Sequence, residues 1–205
     1  MSLVERFTSI YNINLWGAET SVSGLGSEAN ATVTLARELP PLLREFGVTT
    51  LLDAPCGDAG WMAGLDLHGV RYIGIDIVAD LIAENTAKYQ ALGIFFVRDI
   101  VLDSLPVSDA ILCRDCLVHL SFDNIAAAVA NFRRSGARWL ITTTFPEIEG
   151  NNDCEDGDWR ALNLERSPFA WPPPIKLLNE KCEEAGGGWR DKSLGFWELP
   201  RLSGD

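Results

Sequence analysis

The stretch Leu51-Leu52-Asp53-Ala54-Pro55-Cys56-Gly57-Asp58-Ala59-Gly60-Trp61-Met62, "LLDAPCGDAGWM", decides how the chain is read. It closes the run "VTTLLDAP" (48–55), which is only a few residues long, rich in Val, Leu and Thr and apolar on both faces, as a buried strand is. The glycines that follow predict a tight turn, where backbone amides can approach a ligand at the N-terminus of the next helical segment. The stretch therefore predicts a strand and a ligand-binding turn, the opening of an α/β unit.

The same pattern recurs on both sides. "VRYIGIDI" (70–77), "IFFVRDI" (94–100), "SDAILCRD" (108–115) and "ARWLITTTF" (137–145) read as further strands, and runs apolar on both faces imply a parallel sheet covered on each side. Between them, 78–93 carries helical apolar spacing through Leu81, Ile82, Tyr89 and Leu92 and stops at Gly93, while 121–136 opens on the capping-type Ser121 and stops at Gly136. Residues 27–47 predict a helix that Pro40-Pro41 break into two pieces. Residues 146–174 hold five of the ten prolines, many acids and no helical period, so they predict a long functional loop in place of a crossover helix. The tail, "IKLLNEKCEEAGGGWRDKSLGFWELP" (175–200), predicts an antiparallel hairpin that ends the sheet. The expected fold is thus α/β, a doubly wound, mostly parallel seven-stranded sheet in a single domain over 1–205. Within it, 1–47 forms an N-terminal lid and helices, 48–145 the core, 146–174 the loop and 175–205 the hairpin.

Composition narrows the partners. A chain of 205 residues with 47% hydrophobic content can bury one sizeable core. Seventeen basic against twenty-nine acidic residues give a net charge of −12, with no basic stripe, which disfavours nucleic acid. No apolar run reaches signal or membrane-span length, so a soluble, cytoplasmic protein is expected, as monomer or homodimer. Five scattered cysteines argue against a disulfide framework. Cys113 and Cys116 look like half a zinc site or a redox pair, but the only other histidine is His68 in an expected surface turn, so two semi-buried structural thiols fit better.

Acids recur at the strand ends. Asp53, Asp76 and Asp99 lie 23 residues apart, about one βα unit, so their carboxylates should line one C-terminal rim of the sheet, where open α/β folds bind ligands. A dinucleotide G-x-G-x-x-G fits poorly, because Pro55 falls where its first glycine should stand. Asp53-Ala54-Pro55-Cys56-Gly57-Asp58-Ala59 instead resembles the acid-x-G-x-G-x-G motif of class I, Rossmann-like S-adenosylmethionine-dependent methyltransferases, with only the middle glycine kept. With "YIGIDI", "RDI" and "RDCLVHL", that resemblance covers nearly the whole chain. It implies S-adenosylmethionine as cofactor, held by Asp53, Ala54, Cys56, Gly57, Trp61, Asp76, Ile77, Asp99, Ile100 and Arg114. Asp53 would lie near the amino-acid moiety, Asp76 at the ribose hydroxyls and Asp99 at the adenine amine.

"CRDCLVHL" (113–120) then falls where this class meets the acceptor. Methyl transfer needs an aligned acceptor lone pair, and an alcohol also needs a base. His119 is the candidate base and Asp115, four residues earlier, the group that orients it or contacts the acceptor or a metal. "GLGSE", "TTTFPE", "WPPP" and "KSLGFWEL" further resemble small bacterial methyltransferases of glycan synthesis, the mycobacterial sugar 1-O-methyltransferases of methylmannose polysaccharide synthesis among them. That implies a saccharide acceptor, in its narrowest form the 1-hydroxyl of a methylated mannoside. Trp16, Glu28, Glu147, Asn152, Asp153 and Trp159 are the expected acceptor contacts, since carboxylates and amides bond hydroxyls and indoles stack on sugar rings. Clustered acids would also suit a magnesium ion that holds acceptor oxygens, as in several sugar methyltransferases. Rival readings are N-methylation of a small amine, a cofactor-binding module without turnover and a nicotinamide oxidoreductase.

Overall fold

The computed structural model describes residues 1–202, so the last three residues of the expected 175–205 unit lie outside it. Seven strands form one sheet: β1 Thr50–Asp53, β2 Arg71–Asp76, β3 Gly93–Val97, β4 Ala110–Cys113, β5 Trp139–Thr144, β6 Lys176–Asn179 and β7 Ser193–Glu198. Their order is β3-β2-β1-β4-β5-β7-β6. The first five pair in parallel, and β7 enters antiparallel between β5 and β6, as the hairpin reading expected.

Alternation along each strand sends side chains to two cores. Leu52, Ile111, Leu140 and Trp197 pack beneath helix α4 (Phe122–Arg134), while Leu51, Leu112, Ile141 and Phe196 pack against α2 (Val33–Glu45). Helix α3 (Ala79–Lys88) adds Ile82 to the second core. Trp139 and Trp197, at 7% and 1% exposure, are core residues. At the N-terminus, α1 (Leu3–Asn12) starts in a reciprocal cap, in which the Ser2 hydroxyl accepts from the Glu5 amide and the Ser2 amide donates to the Glu5 carboxylate.

The expected break at Pro40-Pro41 does not occur; both prolines lie inside the continuous α2. Proline there removes two donors, which frees the carbonyls of Ala36 and Arg37 four residues back. Both of those residues are exposed, so water can take the place of the lost partners, while Leu35, Leu39, Leu42 and Leu43 stay packed on the other face.

Residues 146–174 contain no helix or strand, yet their own side chains tie them down. Asn163 donates to the carbonyls of Pro146 (3.0 Å) and Ile148 (2.8 Å), and Asn151 donates to those of Asn163 and Ser167, both at 2.9 Å. Trp171, 5% exposed, packs edge-on against Trp197 at 5.3 Å, so this indole belongs to the core and not to an acceptor surface. No helix among the described residues is long and apolar enough to cross a membrane.

Candidate active site

The sheet register explains how the strand-end acids converge. Asp53 pairs with Gly74 and Asp76 with Val97, so each acid stands two residues beyond its predecessor and points to the same face. Asp99 follows the end of β3 by two residues, later than the sequence pattern implied. All three line one cavity, together with Cys56, Gly57, Trp61, Ile77, Ile100 and Arg114. Of the residues expected there, only Ala54 is absent; it is fully buried and its amide continues the ladder to the Leu112 carbonyl at 2.8 Å.

The acids sit in different environments. Burial pushes the Asp76 carboxyl up to about 6, against the amides of Val78 (3.0 Å) and Gly57 (3.1 Å) that it accepts. Burial raises Asp53 to about 7, although the Tyr72 hydroxyl donates to it at 2.7 Å. Asp99 accepts from the Val101 amide at 2.7 Å. The glycine turn is latched by Asn85, whose amide donates to the Gly57 carbonyl at 2.7 Å. Gly57 has φ +54°, and a Cβ there would stand 2.2 Å from the Ser23 hydroxyl, which itself accepts from the Asp58 amide at 2.8 Å. Glycine is required here both by conformation and by the close approach of the N-terminal segment.

Helix α1 roofs this cavity with Leu3, Phe7 and Tyr11. Tyr11 donates to Glu84 of α3 at 2.9 Å, and Arg6 donates to the Asp156 carbonyl at 2.9 Å, so the roof is fastened at both ends.

A second cavity adjoins the first. The two share Trp16, Ser23, Asp115 and His119, and the second adds Gly26, Phe145, Trp159, Glu184, Trp189 and Lys192 among its walls. Three rings form an aromatic wall, with Trp159 and Trp189 centred 4.8 Å apart and Phe145 within 6.0 Å of each. Trp16 lies over the His119 ring at 4.7 Å.

His119 is held by the long loop. Its Nδ1 is 2.8 Å from the Asp158 carbonyl, which can only accept, so Nδ1 carries the proton and Nε2 is left as the free base. The Gly157 amide donates to the His119 carbonyl at 2.7 Å, and Arg160 clamps the preceding turn by donating to the carbonyls of Leu117 and Leu120. Burial pulls the imidazole below its ordinary value and outweighs the Asp158 carbonyl and the Asp115 charge, which act the other way. The ring is therefore neutral at physiological pH.

Asp115 takes φ +49°, and its amide donates to the Thr143 hydroxyl at 2.8 Å. Burial alone would raise its carboxyl, but the Arg114 guanidinium at 3.3 Å and the Lys192 ammonium at 2.7 Å hold it well below the usual carboxylate range. Arg114 in turn grips Glu180 through two bonds, at 2.6 and 3.3 Å, and donates to the Gly26 carbonyl at 2.7 Å. Burial opposes the Lys192 charge, but Asp115 and Glu180 overcome it and raise its pKa. Two cations and two anions thus form one buried cluster.

The sequence reading missed Tyr72, Asn85, Glu180, Glu184, Trp189 and Lys192. Four expected acceptor residues lie outside both cavities. Glu28 accepts from the amides of Glu19 and Thr20, Asp153 from those of Phe122 and Cys154, Asn152 offers its carbonyl to Arg160, and Glu147 is exposed beside Arg190. Backbone amides claim the Glu28 and Asp153 carboxylates and Glu147 faces Arg190, so these side chains do not converge. Among the described residues no group of three or more His, Cys, Asp and Glu could hold a metal ion. Cys113 and Cys116 are buried free thiols, and Cys116 lines the first cavity. His68 is 97% exposed and far too open for a ligand role in a structural site.

Neither protein-family models nor curated protein sequences match this chain. Solved structures do. Burkholderia thailandensis 1,6-didemethyltoxoflavin-N1-methyltransferase, solved with its acceptor and S-adenosylhomocysteine, superposes with a TM-score of 0.65 at 17% identity over 95% of this chain and 85% of that one. Human N-acetylserotonin methyltransferase in complex with SAM gives 0.66 at 11% identity, over 97% of this chain but only 60% of that one. The N-methyltransferase NodS of Bradyrhizobium japonicum, solved with S-adenosylhomocysteine, gives 0.54 at 18%, over 68% and 74%. What these chains share with this one is the fold, the seven-stranded α/β architecture of S-adenosylmethionine-dependent methyltransferases.

Proposed function

We propose that this chain is an S-adenosylmethionine-dependent O-methyltransferase that acts on a small hydroxylated acceptor, a saccharide by class, with His119 as the general base. The observation that carries the reading is the junction of two cavities at a neutral imidazole with a free Nε2. One cavity suits the cofactor. In this reading Asp76 accepts from the ribose diol and Asp99 from the adenine amine, Ile77 and Ile100 offer apolar surface to the ring, and the Gly57 turn with Asp53 takes the amino-acid end; their common lining of one cavity supports it. When bound, the cofactor supplies a methyl group on a sulfonium, electrophilic enough for direct in-line attack by an oxygen lone pair.

The protein's own part is positioning and proton removal. Trp16 and the Trp159–Trp189 wall offer faces on which a sugar ring stacks. His119 takes the hydroxyl proton on Nε2, while its Nδ1–H bond to the Asp158 carbonyl fixes the ring, a step worth about 10²–10⁴ in rate. Asp115, held as an anion by two cations, does not take that proton; it favours the imidazolium that forms and bonds the acceptor. The narrowest form of the reading is the 1-hydroxyl of a methylated mannoside, which rests on motif resemblance to the mycobacterial sugar 1-O-methyltransferases.

A second reading, N-methylation of a small amine, draws support from the acidic groups Asp115 and Glu184 in the acceptor cavity and from the N-methyltransferases of the same fold. An acceptor screen with methyl-tritiated cofactor separates the two. Counts on hexosides support O-methylation; counts on amines alone sink it. Turnover of no acceptor would leave a binding module.

A further inference from the structure

Glu184 Oε1 is buried and has no hydrogen-bond partner among the described residues, which for a carboxyl oxygen is costly unless a ligand supplies the donor. It lines the acceptor cavity and stands 4.0 Å from Lys192 Nζ, too far for a bond between them. Lys192 has three N–H donors, yet among the described residues only Asp115 lies within bonding distance; Glu180 is at 3.7 Å. The remaining donors and the orphaned acceptor face the same small space.

Gly26 keeps that space open. Its φ lies outside the left-handed region, so conformation does not demand glycine there. A Cβ, however, would stand 2.9 Å from both Asp115 Oδ2 and Lys192 Nζ and 3.4 Å from Glu184 Oε1. The bare α-carbon leaves a niche ringed by polar atoms of both signs.

We propose that Glu184, Lys192 and Gly26 form a subsite for one non-reacting hydroxyl of the acceptor, whose oxygen accepts from Lys192 and whose proton goes to Glu184. An oxygen seated between two atoms 4.0 Å apart can reach both at ordinary hydrogen-bond length. Only a group that is donor and acceptor at once satisfies both sides. An ammonium would meet Lys192 as a like charge, and a carboxylate or ketone would leave Glu184 without a donor. The acceptor is therefore a polyol with at least two hydroxyls, one methylated and one gripped here. This deepens the proposed O-methylation and rests on it for the identity of the reacting hydroxyl.

The test uses hexoses of gluco, manno and galacto configuration, both as reducing sugars with a free 1-hydroxyl and as methyl α-hexopyranosides, and their monodeoxy analogues. Affinity is read from tryptophan fluorescence of the protein saturated with S-adenosylhomocysteine, and turnover from tritiated methyl transfer. In the wild type, one monodeoxy analogue of the best hexoside should lose about 10- to 100-fold in affinity, the scale of a hydrogen bond to a charged group. Glu184→Leu should lose the same on the parent sugar and nothing further on that analogue, with Glu184→Gln between. Gly26→Ala, which fills the niche from the opposite side, should reproduce the Leu variant, and melting curves check that each variant folds. The subsite is overturned if Glu184→Leu binds the parent like wild type, if its loss adds to that of every deoxy analogue, or if no hexoside binds. If sugars of this panel bind in a Glu184-dependent way but none, including those with a free 1-hydroxyl, receives a methyl, the O-methylation reading is overturned and the subsite stands.

Discussion

Replacing His119 by Asn isolates the proposed base from its scaffold. The Asn side-chain amide can keep the bond that Nδ1–H makes to the Asp158 carbonyl at 2.8 Å, so the loop stays anchored, but nothing replaces Nε2. General-base removal costs about 10²–10⁴ in kcat, or roughly 3–5 kcal/mol of barrier. The wild-type imidazole is pulled below its ordinary value by burial, so kcat/KM should rise with pH along a limb centred below about 6.5 and then stay flat through neutrality. In the variant that limb should vanish. Affinity for S-adenosylhomocysteine, measured by calorimetry, should change less than threefold, because the Asp76, Asp99 and Gly57 contacts are untouched. A variant that retains more than a tenth of kcat, or that keeps the acidic limb, would refute the role of His119.

Four further outcomes follow from the geometry. Asp76 must ionise to accept a ribose diol and is raised to about 6, so S-adenosylhomocysteine affinity should fall about tenfold per pH unit below 6; calorimetry from pH 7.5 to 5 checks this, and Asp76→Asn should flatten the profile. The same raised value means the folded state holds more protons than the unfolded one between about 4 and 6, so the contribution of Asp76 to stability is present at low pH and is lost as pH rises through 6. Arg114→Met strands Glu180, 3% exposed, in a buried site and should cost about 3–5 kcal/mol, which lowers the melting temperature by about 10 °C. Gly57→Ala, at φ +54° and against the Ser23 hydroxyl, should weaken S-adenosylhomocysteine binding at least tenfold, roughly the factor a 1–3 kcal/mol backbone strain implies, while Gly64→Ala, with open space around it, should not.

Much of the sheet is legible in the chain because its strands are apolar on both faces and its acids recur at the length of one βα unit. The cavity lined by the strand-end acids is readable for the same reason, since a regular repeat fixes which strand ends share a rim. The acceptor side is not. Lys192, Glu184 and Trp189 come from the tail and share a cavity with Asp115, which Lys192 contacts, because β7 threads between β5 and β6, a topological fact that no local pattern encodes. One signal was present: Arg114 and Asp115 stand together in an apolar setting and need charged partners, and a lysine directly before the apolar "SLGFW" is a candidate. Glu28, Glu147, Asn152 and Asp153 have side chains suited to hydroxyls, but composition does not say whether a carboxylate faces a ligand or caps a neighbouring amide. Pro40 and Pro41 mislead for a related reason, because the cost of a lost helix bond depends on whether its carbonyl can reach water.

The central claim is methyl transfer to oxygen. Incubating the protein with S-adenosylmethionine labelled with ¹³C in the methyl group and with the hexoside panel, and then reading products by two-dimensional NMR, tests it most directly. The account predicts a single new methyl signal bonded to a sugar oxygen, lost in His119→Asn. A methyl bonded to nitrogen in a parallel amine panel with none on oxygen, or no labelled product while S-adenosylhomocysteine binds normally, would contradict it.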